Sequence, residues 1–171
     1  SYNKNVIFMG RISKVKNLET VLKIAKNLKE INFTIHGPIE KDYMLSSELK
    51  NVKIINKPYN IAEEIKEFKK NSIFILPSKI ESIPLALLEA LGAGLVCISS
   101  DTMGGLELIT NKKNGFIFNK KNNEELEKII KDIVKDKKLF NKISKAAKES
   151  VKNKTWDKIS LEIEKEYKSA I

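Results

Sequence analysis

Two carboxylates, Glu81 and Glu89, bracket the stretch ESIPLALLE, and the small-residue run ALGAG follows it directly. Pro84 has its φ preset near the helical value and lacks an amide donor, so it suits the first turn of a helix. On that reading Glu81 lies in a loop and Glu89 lies about a turn and a half into the helix. The two acids therefore serve separate places and not one helix face. Leu85, Ala86, Leu87, Leu88, Ala90 and Leu91 surround Glu89, so the helix is apolar nearly all round and is expected to be largely buried. A carboxylate in such a helix either accepts hydrogen bonds from hydroxyls, a ribose diol among them, or occupies the one solvent-facing line. The pattern alone leaves both open.

Other residues bear on an anion. The amides of Leu85 and Ala86 open this helix, where unpaired N–H groups and the helix dipole favour negative charge. In MGRISKVKN, Gly10 allows a tight turn, and Arg11 with Lys14 and Lys16 could neutralise a diphosphate. Arg11 is the only arginine in a chain that otherwise uses lysine, which marks a place for a planar, two-pronged donor. The segment matches neither G-x-G-x-x-G nor a P-loop, and a surface turn with incidental lysines fits it too. DTMGG, residues 101–105, reads as a turn whose adjacent glycines bring amides near a polar ligand or simply as a loop. His36 has no partner for base chemistry and reads as structural, and Cys97 reads as core. No spacing of Cys, His and acids makes a metal site, and no Ser-His-Asp or Cys-His arrangement is present.

Short β-branched runs alternate with helical patterns: NVIFM (5–9), a helix over 17–31, NFTIHG, an amphipathic segment to about residue 50, VKIIN (52–56), a helix over 61–70, SIFILP (72–77), the helix after Pro84, LVCIS (95–99), a short helix near LELI and GFIF (115–118). Six strands with long returns predict a doubly wound, Rossmann-like parallel α/β sheet covered on both faces. SIFIL and LVCI are continuously apolar, as central strands are. After Phe118 only helical patterns follow, and these either pack on the sheet or reach another partner. Ligands in open sheets of this kind sit where strands end and helices begin, which is where Gly10, Arg11, Glu81 and the helix start of Leu85 fall.

The chain has 171 residues, 42% hydrophobic and 32% charged, a globular profile read as one domain over 1–171. No apolar run approaches the about 18 residues of a membrane span. One cysteine excludes an internal disulfide and fits a reducing compartment, so a cytoplasmic protein is expected. The net charge of +10 comes from lysines scattered among glutamates, without the interleaved aromatics of single-strand binders. It reads as a solvated lysine surface, with no nucleic-acid partner; peripheral attachment to the inner face of a membrane is the weaker alternative.

Taken in order, the motifs resemble the C-terminal domain of the group 1 glycosyltransferases, the retaining family with the GT-B fold. Gly10, Arg11 and Lys16 match its Gly-Arg with a following Lys, and Pro77–Ser78 with Glu81 and Glu89 match its Pro-Ser before E-x7-E. Ala90 with Gly94, Gly104–Gly105 with Glu107, and Asn114–Gly115 complete the set. The resemblance covers nearly the whole chain. It implies a hexosyltransferase donor domain that binds a nucleoside diphosphate sugar, a UDP-sugar most of all, with no cofactor and no metal. By the same resemblance Arg11, Lys16 and Glu81 are the catalytic residues. Arg11 and Lys16 would hold the diphosphate beside Gly10. Glu81 would bind the transferred sugar with the backbone of Ile83, Pro84, Leu85 and Ala86 and the turn Met103–Gly104–Gly105, and Glu89 would accept from the ribose. The base would lie near Lys57–Pro58, where the family often has Gly.

Ser82 and Leu95 depart from the family's usual Gly and Pro. The resemblance also implies an N-terminal domain, outside this chain, that carries the acceptor site, so the chain is expected to bind donor without transferring sugar by itself. Two alternatives share the cleft: a nucleotide-sugar 2-epimerase of GT-B build and a non-catalytic nucleotide-sugar-binding module.

Overall fold

The structure, a computed structural model, describes residues 2–169. Six strands, β1 (Asn5–Met9), β2 (Asn32–His36), β3 (Val52–Ile55), β4 (Ile73–Leu76), β5 (Val96–Ser100) and β6 (Phe116–Phe118), form one sheet in the order β3-β2-β1-β4-β5-β6. Every pairing is parallel, as the long returns between strands predict. Val6 to Met9, Ile73 to Leu76 and Val96 to Ile98 are all buried, so β1, β4 and β5 are covered on both faces and need apolar side chains in both directions. The winding reverses between β1 and β4. The crevice at their C-terminal ends is the place a doubly wound sheet offers a ligand.

Helices α1 (Glu19–Asn27), α2 (Ile61–Lys70) and α3 (Leu85–Ala93) follow β1, β3 and β4. α1 buries Thr20, Val21, Ile24 and Ala25 along one stripe. α2 opens with a capping box, in which Asn60 Oδ1 accepts from Glu63 N and Glu63 Oε2 accepts from Asn60 N. This closes two otherwise orphaned donors. After β5 come α4 (Met103–Leu108) and β6, then α5 (Asn123–Lys135), α6 (Lys137–Ser150) and α7 (Trp156–Ser169). α5 packs against α1 and β6, and α6 against α3 and β5, so these two C-terminal helices belong to the sheet's cover. On α7, Leu161, Ile163 and Tyr167 are exposed.

Three expectations are corrected. No helix joins β2 to β3, where residues 40–50 run irregularly. Asp42 sits at φ 65 and the Ser47 hydroxyl accepts from Leu49 N, side-chain bonding that competes with helix formation. Pro84 is the N-cap of α3 and not its first helical residue. Gly104 and Gly105 are not in an open turn: they lie buried inside the first turn of α4, which Thr102 caps by accepting from Gly105 N.

Candidate functional site

The loop from Pro77 to Pro84 is fixed from three sides. Lys79 N donates to Val15 O at 2.8 Å and Asn17 Nδ2 donates to Pro77 O, which ties it to the loop after β1. Ser100 Oγ, buried at the end of β5, donates to Ser78 O at 2.6 Å. From α4, Gly104 N donates to Glu81 O at 3.0 Å. A Cβ on Gly104 would stand 2.5 Å from Ser82 O and 2.6 Å from Pro84 Cδ, so only glycine lets α4 lie this close.

That fixed loop delivers Glu81 to Lys16. Lys16 Nζ lies 2.5 Å from Glu81 Oε1, with side chains 25% and 9% exposed, and Ser78 Oγ donates to the same oxygen at 2.6 Å. A nearly buried carboxylate needs such donors, and here both fall on Oε1. Among the described residues Oε2 takes none. A short 3₁₀ turn over Lys14–Lys16, closed by Asn17 in the left-handed region, aims Lys16 inward.

Arg11 stands apart from this pair. Its side chain is 70% exposed and 3.8 Å from Glu40 Oε1, on a turn where Ile12 N donates to Pro38 O and Glu40 N to Ile12 O. A guanidinium held only by an exposed carboxylate is available to an anion. Gly10, at φ 148, donates to His36 O.

Glu89 lies on the open side of α3, turned to α2. The helix is not buried nearly all round, as its composition predicts: α3 buries only Leu87, Ala90 and Leu91, and Glu89 is exposed at the rim, where a ligand's hydroxyls can reach it. Glu89 lines a hollow of about 650 Å³ with Leu85, Ala86, Tyr59, Ile61 and Glu64. The Leu85 amide is turned onto Ile83 O at 3.1 Å, whereas Ala86 N–H is among the donors that a helix leaves unpaired at its start. Lys57 and Pro58 are exposed just ahead of the hollow, with Lys57 Nζ on Glu63 Oε1 at 2.7 Å, and neither lines it. Ile83 and Met103 are exposed on the loop and on α4.

Sequence reasoning passed over Glu64, Tyr59 and the role of Ser78. Glu64 is buried in α2, and its acid is pushed up to about 7, first by burial, then by a hydrogen bond with Glu89 and by that residue's charge. The signal was present: Glu64 interrupts the apolar stripe of Ile61, Ile65 and Phe68 at helical spacing. Tyr59 is pushed up to about 12 by burial and by Glu64 and Glu89, and its ring meets His36 edge-on at 5.3 Å. Burial lowers the pKa of His36, in keeping with a structural histidine. No group of three or more His, Cys, Asp or Glu that could hold a metal ion occurs among the described residues. No helix among them is long and apolar enough to cross a membrane.

The arrangement offers cations at the end of β1, a donor-fed carboxylate beyond β4 and an acid-edged hollow beside them, which together suit a polyhydroxylated anion. Solved structures share the frame. The C-terminal domain of a glycosyl transferase group 1 family protein from Francisella tularensis superposes with a TM-score of 0.78 at 21% identity, over 86% of this chain and 84% of that one. An Anabaena protein, HepE, solved in complex with UDP, superposes with a TM-score of 0.85 at 19% identity, over 98% of this chain and 49% of that one. By sequence, the sulfoquinovosyl transferase SQD2 of Arabidopsis thaliana is 27% identical over 171 residues, which is 96% of this chain and 33% of that protein. An uncharacterised glycosyltransferase of Haemophilus influenzae is 26% identical over 83% of this chain and 42% of its own length. The chain thus spans well under half the length of these two relatives. Residues 2–150, from the first strand through the helix that backs α3, match the glycosyl transferases group 1 family, and the chain belongs to that family.

Proposed function

We propose that residues 1–171 form one nucleotide-sugar-binding domain, the donor side of a retaining, metal-independent hexosyltransferase whose acceptor is bound by a companion N-terminal domain. The observation that carries this reading is the Lys16–Glu81–Ser78 cluster at the β1/β4 switch point, beside the hollow that Glu89 edges. Arg11 and Lys16 take the diphosphate and stabilise the charge that grows on it as the glycosidic bond breaks. Glu81, held through Oε1, keeps Oε2 for hydroxyls of the transferred sugar, and Met103 and Gly104 border that place. Glu89 accepts from the ribose diol, and the walls of Tyr59, Leu85 and Ala86 flank the nucleoside. This moves the base from Lys57–Pro58 to the adjoining Tyr59. HepE has been solved with UDP, which favours a uridine donor here; the reading calls for no cofactor. The reading places the protein in the cytoplasm, at most peripherally on a membrane, and needs no nucleic-acid partner.

Thermal unfolding of the chain with UDP, GDP, ADP and their sugar conjugates tests the reading. A nucleotide at about 100 times its dissociation constant adds about 2.7 kcal/mol. The expected result is a base-selective rise in Tm, strongly reduced in Arg11→Ala, whose exposed side chain makes little contribution to stability on its own. No rise with any nucleotide would overturn it. Gly104→Ala is a second check: it must push Ser82 and Pro84 away from α4, at about 1–3 kcal/mol of stability. Because the displaced loop carries Glu81, nucleotide-sugar affinity should fall about tenfold or more, while UDP alone, which lacks the sugar, should lose less. Calorimetric titration with both ligands reads the difference.

A further inference from the structure

Glu64 and Glu89 face each other across the gap between α2 and α3. Glu64 is only 7% exposed, and its Oε1 finds no hydrogen-bond donor among the described groups. Both acids line the hollow beside Tyr59 and also a groove of about 630 Å³ that continues between α2, α3 and α6 past Phe68, Phe140 and Ser144. Two carboxylates that line one hollow with no donor between them hold together only if one keeps a proton. Burial selects Glu64 as the neutral partner, since Glu89 is the more open of the two and water solvates its charge. The raised affinity of Glu64 for its proton agrees.

We propose that Glu64 is a positioning residue for the nucleotide site: its carboxylic acid donates to the Glu89 carboxylate and fixes Glu89 at the rim of the hollow, with its remaining lone pairs turned to vicinal hydroxyls. This rests on the reading of Glu89 as the ribose acceptor. The hydrogen bond does two things. It removes the freedom of a glutamate side chain at the rim, so that less order has to be imposed when ligand binds. It also keeps the rim at one negative charge instead of two. Loss of the Glu64 proton would put like charges side by side, drive Glu89 outward and add repulsion against a diphosphate. The other titratable groups around the pair are Tyr59, ahead of α2, and Lys69, further along α2 in the same groove. Tyr59 holds its proton across neutral pH, and His36 meets the Tyr59 ring on the side of the sheet. α6 contributes Phe140 and Ser144 to the groove, neither of which titrates near neutrality.

The test is the affinity for UDP from about pH 6 to about pH 8.5, by calorimetric titration, in wild type, Glu64→Gln, Glu64→Leu and Glu89→Ala. Wild-type affinity should fall about tenfold relative to Glu64→Gln as the pH rises through about 7. The amide of Glu64→Gln donates to Glu89 at every pH, so this conservative variant should stay at the tight-binding level, and taking the ratio cancels the titration of the phosphate itself. Glu64→Leu has no donor and should bind weakly throughout. A constant ratio between wild type and Glu64→Gln, with Glu89→Ala weakened, would overturn the role of Glu64 and leave the ribose reading standing. Glu89→Ala binding like wild type would overturn the ribose reading, and this proposal with it. A readout without nucleotide is carboxyl ¹³C NMR: Glu64 should titrate near 7 in wild type and lower in Glu89→Gln, and an unmoved Glu64 would sink the hydrogen bond.

Discussion

Lys16→Met should lower the stability of the chain by about 2 kcal/mol and abolish stabilisation by a nucleotide sugar, whereas Lys16→Met combined with Glu81→Gln should regain the stability and not the binding. Removing one partner of a buried ion pair costs about 3–5 kcal/mol, because the other charge is left without compensation. Lys16 is a quarter exposed and Ser78 still donates to Glu81, which places the loss below that range. In the double variant the amide introduced at position 81 is neutral and can still accept from Ser78, so nothing charged is stranded. Binding does not return on the proposed reading, since the ammonium it assigns to the diphosphate is gone. Urea unfolding of the two single variants and the double measures the coupling, and thermal shifts with the nucleotide sugar measure the site. Recovery of both together would mean that the pair shapes the loop and takes no part in binding.

Gly37→Ala is expected to cost about 3 kcal/mol or more, the largest effect of any single added methyl considered for this chain. A Cβ there would stand 1.9 Å from Gly10 O and 2.8 Å from Gly10 C, and the residue sits at φ 155. The obstacle is backbone and not a side chain that could rotate away. Relief requires the ends of β1 and β2 to part, which strains the bonds from Gly10 N to His36 O and from Gly37 N to Ile55 O. Strained φ and overpacking each contribute about 1–3 kcal/mol. Denaturant unfolding gives the loss directly. A cost under about 1 kcal/mol would show that the two turns move freely past each other.

Much of the sheet was legible because central parallel strands leave few choices: FILP, VCI and VIFM are apolar in both directions and can sit only in the middle. The 61–70 helix was legible as a helical pattern between two β-branched runs. Residues 40–50 were not, because Leu45 and Leu49, four apart, mimic a helical face while Asp42 and Ser47 favour local conformations that the pattern does not register. At the candidate site, residue types could place Gly10, Arg11, Lys16, Glu81 and Glu89 beyond the C-terminal ends of β1 and β4, where the structure has them. They could not reveal that Lys16 closes on Glu81 across 65 positions, nor that Glu64 meets Glu89 from another helix, because such contacts depend on how elements pack and not on spacing within one. The same limit hid the burial of Gly104 and Gly105: adjacent glycines mark either an open turn or a close approach, and only the neighbours decide.

Cys97, a core residue of β5, gives the fold a clock. It lies fully buried at the heart of the sheet, with its thiol pushed well up by burial and turned to Leu95 O at 3.6 Å. It is the sole cysteine of the sequence. A thiol reagent can reach it only when the cover packed on β5 comes away, so the rate of modification counts openings of the core. No second sulfhydryl blurs the signal, and a fluorophore placed on any engineered surface cysteine would leave this one untouched while the fold stays shut.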